Sequence, residues 1–150
     1  MLAEGRAAPG EHPLHRRWAL RVHFGDDKGE WAGLHRVVAT VASVEEFWRA
    51  LDTLPHVSDV FFDGVERRRL QNRLVESFSL FEEGVEPIWE DPHNAKGGEY
   101  ACKDGVPPDR IDGIWEDLLC AVVGEVLDPG REITGVRVVD KSGSSRKRDE

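Results

Sequence analysis

From Trp18 onward apolar side chains recur at every second position, Trp18, Leu20, Val22 and Phe24, with Ala19, Arg21 and His23 between them. Strict alternation matches the two-residue period of a strand, whose successive side chains point to opposite faces. It predicts a half-buried strand over residues 18–24, led in by the extended run His12-Pro13-Leu14. A sheet that is apolar on one face must be covered there, so the chain has to form a layered fold.

The remaining elements supply the layers. Gly25-Asp26-Asp27-Lys28-Gly29 reads as a turn that delivers Trp31 at its far side, and residues 34–41 read as a second strand antiparallel to the first. Ser43 and Glu46 stand three apart as a capping box, each satisfying a backbone N–H at a helix start. Val44, Phe47, Trp48 and Leu51 follow as one apolar helical stripe, and Pro55 ends it. Residues 57–74, which include Glu66-Arg67-Arg68-Arg69, read as a partly helical, partly irregular connection.

Strands are then expected over residues 77–82 and 99–103, with a Gly/Pro loop over 104–109. A second helix is expected over 112–123, turning Ile111, Ile114, Trp115, Leu118, Leu119, Val122 and Val123 to the core. A last strand covers 134–139. These connections are too short for regular strand–helix–strand crossovers. The expected class is α+β, an antiparallel sheet with helices on one face. Residues 1–11 are expected as a lead-in, 12–141 as one domain and 142–150 as a polar tail.

Composition excludes several classes. A net charge of −9 over 150 residues opposes broad electrostatic binding to long nucleic acid, which needs Lys and Arg against phosphates. No apolar run approaches the roughly 20 residues of a membrane span, and the N-terminus lacks a secretory signal pattern. Cys102 and Cys120 read as reduced thiols of a cytosolic protein and lack metal-type spacing. Glu90 or Asp91 with Glu86 could act as acid and base in glycoside hydrolysis. No nucleophile, metal cluster or phosphate-loop motif accompanies them, so neither an enzyme, a cofactor nor a metal site is expected.

The stretch Glu86-Pro87-Ile88-Trp89-Glu90-Asp91, with Asn94, Gly97 and Gly98 behind it, carries the functional signal. Pro87 fixes one backbone angle, and the glycine pair permits a sharp return. Trp89 beside Glu90 suits purine reading: the indole stacks on a base, and the carboxylate accepts hydrogen bonds from its N–H edge. The same residues also fit a packed loop Trp beside a solvated carboxylate pair.

The ordered series His12-Pro13-Leu14, Trp18, Trp31, Val44-Glu45-Glu46-Phe47-Trp48, Gly84-Val85-Glu86-Pro87-Ile88-Trp89-Glu90-Asp91, Asn94, Gly97-Gly98, Trp115-Glu116-Asp117-Leu118-Leu119-Cys120 and Gly124-Glu125 resembles the eukaryotic translation initiation factor 4E family. The resemblance implies a curved antiparallel sheet shaped like a cupped hand, with helices on the convex face. It implies binding of the 7-methylguanosine cap of mRNA between Trp31 and Trp89, with Glu90 reading the guanine edge. Lys141 and Arg146 (or Lys147 or Arg148) align with the basic residues that meet the cap phosphates. His12, Pro13, Val44, Trp48, Gly124 and Glu125 match the surface that takes an amphipathic helix from a scaffold of the initiation factor 4G type or a 4E-binding repressor. A cytoplasmic location, with the nucleus as a second, goes with that role.

Departures from the family pattern define a second reading. Glu116 and Cys120 stand where larger apolar residues are usual, Arg21 and Tyr100 replace aromatics, and Glu99 replaces a basic residue near the phosphates. The chain also stops before the family's final elements. The alternative is therefore an interaction module that keeps the fold with weak or lost cap binding.

Overall fold

The computed structural model describes residues 8–25, 35–102 and 104–142. Trp31 and Arg146, together with Lys147 and Arg148, lie outside the described residues. The elements run β1 (Pro13–Phe24), β2 (His35–Ser43), α1 (Val44–Thr53), α2 (Val57–Val60), β3 (Arg69–Leu70), β4 (Arg73–Glu82), α3 (Ile111–Val123) and β5 (Gly135–Val139). β1 pairs antiparallel with β2 on one side and β4 on the other, and β5 pairs antiparallel with the far edge of β4.

The predicted alternation in β1 sets the architecture. Trp18, Leu20, Val22 and Phe24 all enter the core, where they meet Val41 of β2, Phe78 and Leu80 of β4, Phe47 of α1 and Trp115 and Leu119 of α3. Two of the three register shifts of β1 fall within Trp18–Phe24 and keep that face continuous as the strands curve. Arg21 pairs with Val37 after Leu20 pairs with Ala39, and Phe24 pairs with Val75 after His23 pairs with Ser77. Each skips one residue of the partner, Val38 and Glu76, as a bulge does, adding local bend and twist.

α1 starts as its capping residues require. Ser43 Oγ accepts from the Glu46 N–H at 3.1 Å. The Glu46 carboxylate reaches one residue further back than a capping box predicts and accepts from Ala42 N–H at 2.7 Å. Only Phe47 of the apolar stripe is buried, so the stripe is not a core seam along its length. In α3, Trp115, Leu119, Val122 and Val123 are buried, but Ile114 is exposed, against the expectation that it faces the core. The helix is broadly apolar, and the sheet is wide enough to cover only part of its circumference.

Two other expectations change. The irregular connection over 57–74 contains a one-turn helix and a hairpin, β3–β4, closed by Gln71 and Asn72 at φ of 50° and 62°. Both turn residues sit in the left-handed region, the geometry of a two-residue type I′ turn. Gln-Asn is a weaker signal for it than Asn-Gly, which is why the sequence hid it. Residues 99–102 form no strand, contrary to the expected strand over 99–103. Lys103 lies outside the described residues.

The face of the sheet turned from the helices is polar. Register places Val37, Arg21, Ser79 and Arg137 in one row across β2, β1, β4 and β5, and His35, His23, Ser77 and Val139 in the next. Arg21, His23, His35, Ser77 and Ser79 are nonetheless buried. The His23 and His35 rings stack with centroids 4.8 Å apart. Burial pulls the His35 pKa down to about 4, helped by the positive charges of His23, Arg137 and Arg21. Burial also lowers the His23 pKa, and Arg137 adds to this while Glu76 opposes it.

Two outcomes follow from this packing. A Cβ added to Gly135 would lie 2.4 Å from the Phe81 ring, its cross-strand partner. Gly135→Ala is expected to cost about 1–3 kcal/mol in a denaturant melt, and an unchanged midpoint would show that the ring swings clear at no cost. The second outcome concerns acid. His35 titrates near 6.5 when unfolded and about 4 when folded, so the unfolded chain binds the extra proton first. Its contribution is intact above pH 6.5 and is lost as pH falls towards 4, on the order of 2 kcal/mol. His35→Leu should flatten the decline in stability between pH 6.5 and 4, and an identical decline in the variant would place its origin elsewhere.

Candidate functional site

β4 runs directly into the loop that carries Trp89 and Glu90. Gly84 takes φ of +87°, reversing the chain after Glu82 and Glu83. Pro87 is buried and anchors the loop from beneath. Asp91, also buried, folds back to accept from the Glu86 N–H at 2.8 Å and from the His93 N–H and ring Nδ1 at 2.9 Å each. Burial would push its carboxyl pKa up, but these backbone and ring donors outweigh it, and the net shift is downward.

Asn94 completes the brace. Its amide donates to the Glu86 carbonyl at 2.8 Å and the Ile88 carbonyl at 2.9 Å. Its oxygen accepts from the Thr134 hydroxyl at 2.7 Å, tying the loop to the approach of β5. With their neighbours tied inward, Trp89 and Glu90 are the residues left outward. Trp89 is 54% exposed, far from the usual state of a Trp, and Glu90 beside it is exposed as well. The arrangement is a rigid loop presenting a bare indole and a carboxylate.

The loop stands on the helix-free side of the sheet. Glu86 acts electrostatically on Arg21, and Glu99 Oε2 lies 3.6 Å from Arg137 Nη2, both on that face. Lys141 is exposed just past the end of β5. Of the residues expected to meet one ligand, the structure places Trp89 and Glu90 side by side. Trp31 and Arg146 fall outside the described residues.

The opposite face holds the second set. Leu14, Val44, Phe47, Trp48, Cys120, Val123 and Gly124 line an open hollow of about 190 Å³ between β1, α1 and the end of α3. Trp48 is 42% exposed there, so it serves the surface rather than the core. His12 and Pro13 border the hollow: the His12 carbonyl accepts from the Val44 N–H at 2.9 Å, and Pro13 pairs with Ser43. The His12 ring and backbone N–H bond Glu45, which holds that carboxyl down at about 2 and raises the His12 pKa. A smaller, more enclosed hollow of about 90 Å³ lies on the other side of Trp48 and is lined by Leu51, Pro55, Trp115 and Glu116 among others.

Glu125 has a different role from its neighbours. It sits at φ of +56°, and its carboxylate is held by Arg16 Nε and His15 Nδ1 at 3.1 Å each and by Arg131 Nε at 3.4 Å. That carboxylate is committed inside the protein and fixes the turn after α3. Arg16 is the residue that sequence reasoning missed. It also donates to the Ile133 carbonyl at 2.9 Å, pairs with Glu82 at 3.4 Å and lies over the Trp18 ring at 4.5 Å. Arg16 and Thr134 occupy no recognisable motif: Arg16 meets Glu125 and Ile133 at separations of 109 and 117 residues, and Thr134 meets Asn94 at 40, beyond any local signal.

Among the described residues no group of His, Cys, Asp and Glu is placed to hold a metal ion, and no helix is long and apolar enough to cross a membrane. Residues 13–147 match the protein family described as eukaryotic initiation factor 4E. Eukaryotic translation initiation factor 4E-1 of Schizosaccharomyces pombe is 34% identical over 139 residues, which are 91% of this chain and 58% of that protein. Eukaryotic translation initiation factor isoform 4E-2 of Oryza sativa subsp. japonica is 35% identical over 141 residues, covering 89% of this chain and 61% of that one. The chain thus spans about three fifths of the length of these relatives.

Solved structures agree on the fold. Ascaris suum eIF4E-3, determined with an m2,2,7G cap, superposes with a TM-score of 0.68 at 28% identity, covering 88% of this chain and 68% of that one. Caenorhabditis elegans eIF4E-3, determined with the 4E-binding protein Mextli, does so at 0.68 and 27% identity, covering 88% and 70%. The expected cupped antiparallel sheet with helices behind it is the observed fold. This chain belongs to the eukaryotic initiation factor 4E family.

Proposed function

We propose that this chain binds the 7-methylguanosine cap of mRNA on the helix-free side of its sheet and takes part in translation initiation or its regulation. The single observation that carries the reading is the braced loop presenting Trp89 and Glu90 outward. Solved relatives determined with cap analogues support it. In this reading Trp31 and Trp89 sandwich the base, Glu90 accepts from its N1 and N2 hydrogens, and the Trp89 backbone N–H meets O6. Lys141 and Arg146 approach the phosphates.

Physical chemistry explains why methylation would matter. N7-methylation leaves a delocalised positive charge on the base, so each indole face gains a cation–π contribution of roughly 0.5–2 kcal/mol. The same charge strengthens the N–H donors facing Glu90. Unmethylated guanine lacks both.

The back of the molecule fits an amphipathic helix from a scaffold of the initiation factor 4G type or from a 4E-binding repressor. Its apolar side would seat in the hollow around Trp48, between Val44 and Gly124, with His12 and Pro13 at the edge. Glu116 beside Trp115 and the small Cys120 make this surface less apolar than a full anchor site, which favours a partner with a basic residue facing Glu116 and a bulkier one facing Cys120. Cytoplasmic residence, with the nucleus as a second site, accompanies this role. The alternative reading, an interaction module with weak cap binding, draws on Glu99, which faces Arg137 and takes up a cation on the cap side.

Trp fluorescence on adding 7-methyl-GTP separates the two readings, since stacking on two indoles quenches strongly. Glu90→Gln should lose roughly tenfold or more in affinity for 7-methyl-GTP and much less for GTP, both at one salt concentration. An unchanged preference would remove Glu90 from base reading. On the other face, Trp48→Ala should abolish binding of a helical scaffold peptide by fluorescence anisotropy while 7-methyl-GTP affinity stays within twofold. A folded Trp48→Ala protein that loses the nucleotide instead would contradict two separate surfaces.

A further inference from the structure

Two donors on the helix-free face find no acceptor among the described residues. Arg21 is 5% exposed, and its Nη1 is buried without a hydrogen-bond partner. Ser79 is 1% exposed, and its hydroxyl is likewise buried and unpartnered. The two are not scattered, because register sets Arg21 directly opposite Ser79 and Ser79 directly opposite Arg137. Directly paired residues of antiparallel strands project from the same face with Cβ atoms about 5 Å apart. Three donor side chains on three adjacent strands therefore form one row.

Ordinary packing does not account for this row. Buried polar groups are nearly always hydrogen-bonded, and a buried guanidinium without a partner is among the costliest exceptions. Glu86 is the charge that offsets Arg21, and it does so through space, without a hydrogen bond. Arg137 meets Glu99 at 3.6 Å in a contact that is exposed on both sides, the kind worth little and easily exchanged. The next row, His35, His23, Ser77 and Val139, adds no carboxylate beside the two arginines in a chain of net charge −9.

We propose that Arg21, Ser79 and Arg137 form an oxyanion site on the helix-free face, separate from the Trp89–Glu90 loop, that takes a phosphate group. Two guanidinium forks and a hydroxyl match a phosphate better than a carboxylate. The arginines supply two positive charges against the −1.5 to −2 of a terminal phosphate, and their planar N–H pairs fit its oxygens. Exposed Arg137 meets the anion first, exchanging Glu99 for it, and Arg21 and Ser79 bind it from beneath. The phosphate can come from a nucleotide or from a free phosphate chain.

Thermal denaturation of the full chain with and without tripolyphosphate, at constant ionic strength, tests the site. The wild type should gain several degrees. Arg137→Gln should lose most of that gain. Arg21→Met should melt higher than wild type without the anion, because it removes a buried charge that makes no hydrogen bond among the described residues, and should show no gain with it. A lower Tm for Arg21→Met, or a full tripolyphosphate gain in either variant, would overturn the proposal. Fluorescence titrations with 7-methyl-GTP and 7-methylguanosine then identify the source. If Arg137→Gln lowers affinity for the nucleotide more than fivefold and leaves the nucleoside unchanged, the nucleotide's own phosphates occupy the site. If neither changes while the tripolyphosphate gain is lost, the ligand is a free phosphate chain. Absent quenching of the wild type by 7-methyl-GTP would remove the cap reading and leave the tripolyphosphate result to decide this one.

Discussion

β1 is the constraint on which the rest depends. It is hydrogen-bonded to β2 on one side and to β4 on the other, and its four alternating apolar residues touch the strands and helices that form the core. Buried side chains of this size contribute roughly 1.5–3 kcal/mol each relative to exposure, so the strand cannot slip by one residue. A slip would put Arg21 and His23 against the helices and Leu20 and Val22 on the open face. The register of β1 therefore fixes both the hydrophobic core and the polar rows behind it.

That division gives the protein two chemically unlike faces. The helices cover one but leave Trp48 and Val44 partly uncovered, so an apolar hollow remains at the surface. The other face carries buried arginine, histidine and serine, which raises the cost of the folded state unless a ligand or a charge answers them. Stability and binding pull in opposite directions at these positions, as is common where a fold holds a site.

The faces are also mechanically joined. Arg16 holds Glu125 at the end of α3 and the Ile133 carbonyl before β5, and the next residue, Thr134, bonds Asn94 beneath Trp89. Charge-assisted and buried bonds of this kind hold geometry more than they add net stability. Their effect is to keep the Trp89 loop and the hollow around Trp48 in a fixed relation to one sheet.

The sequence by itself determined whatever is written in local periodicity. The alternation of Trp18 to Phe24, the cap formed by Ser43 and the stripe of α3 each encode an element within a few residues of themselves. The pairing of Trp89 with Glu90 on a shaped loop was equally legible, because Pro87, Asp91 and Asn94 restrict the backbone within that same stretch. What only the tertiary structure decided depends on partners distant in the chain. Ile114 and Trp48 lie on apolar helical faces, yet the sheet is too narrow to cover them, and no local pattern measures its width. Arg21 reads as a polar residue on a solvated strand face until β4 and β5 place Ser79 and Arg137 beside it. Glu125 reads as a surface acid until Arg16, 109 residues away, reaches it. Periodicity assigns a side chain to a face, and only the assembled sheet decides what that face meets.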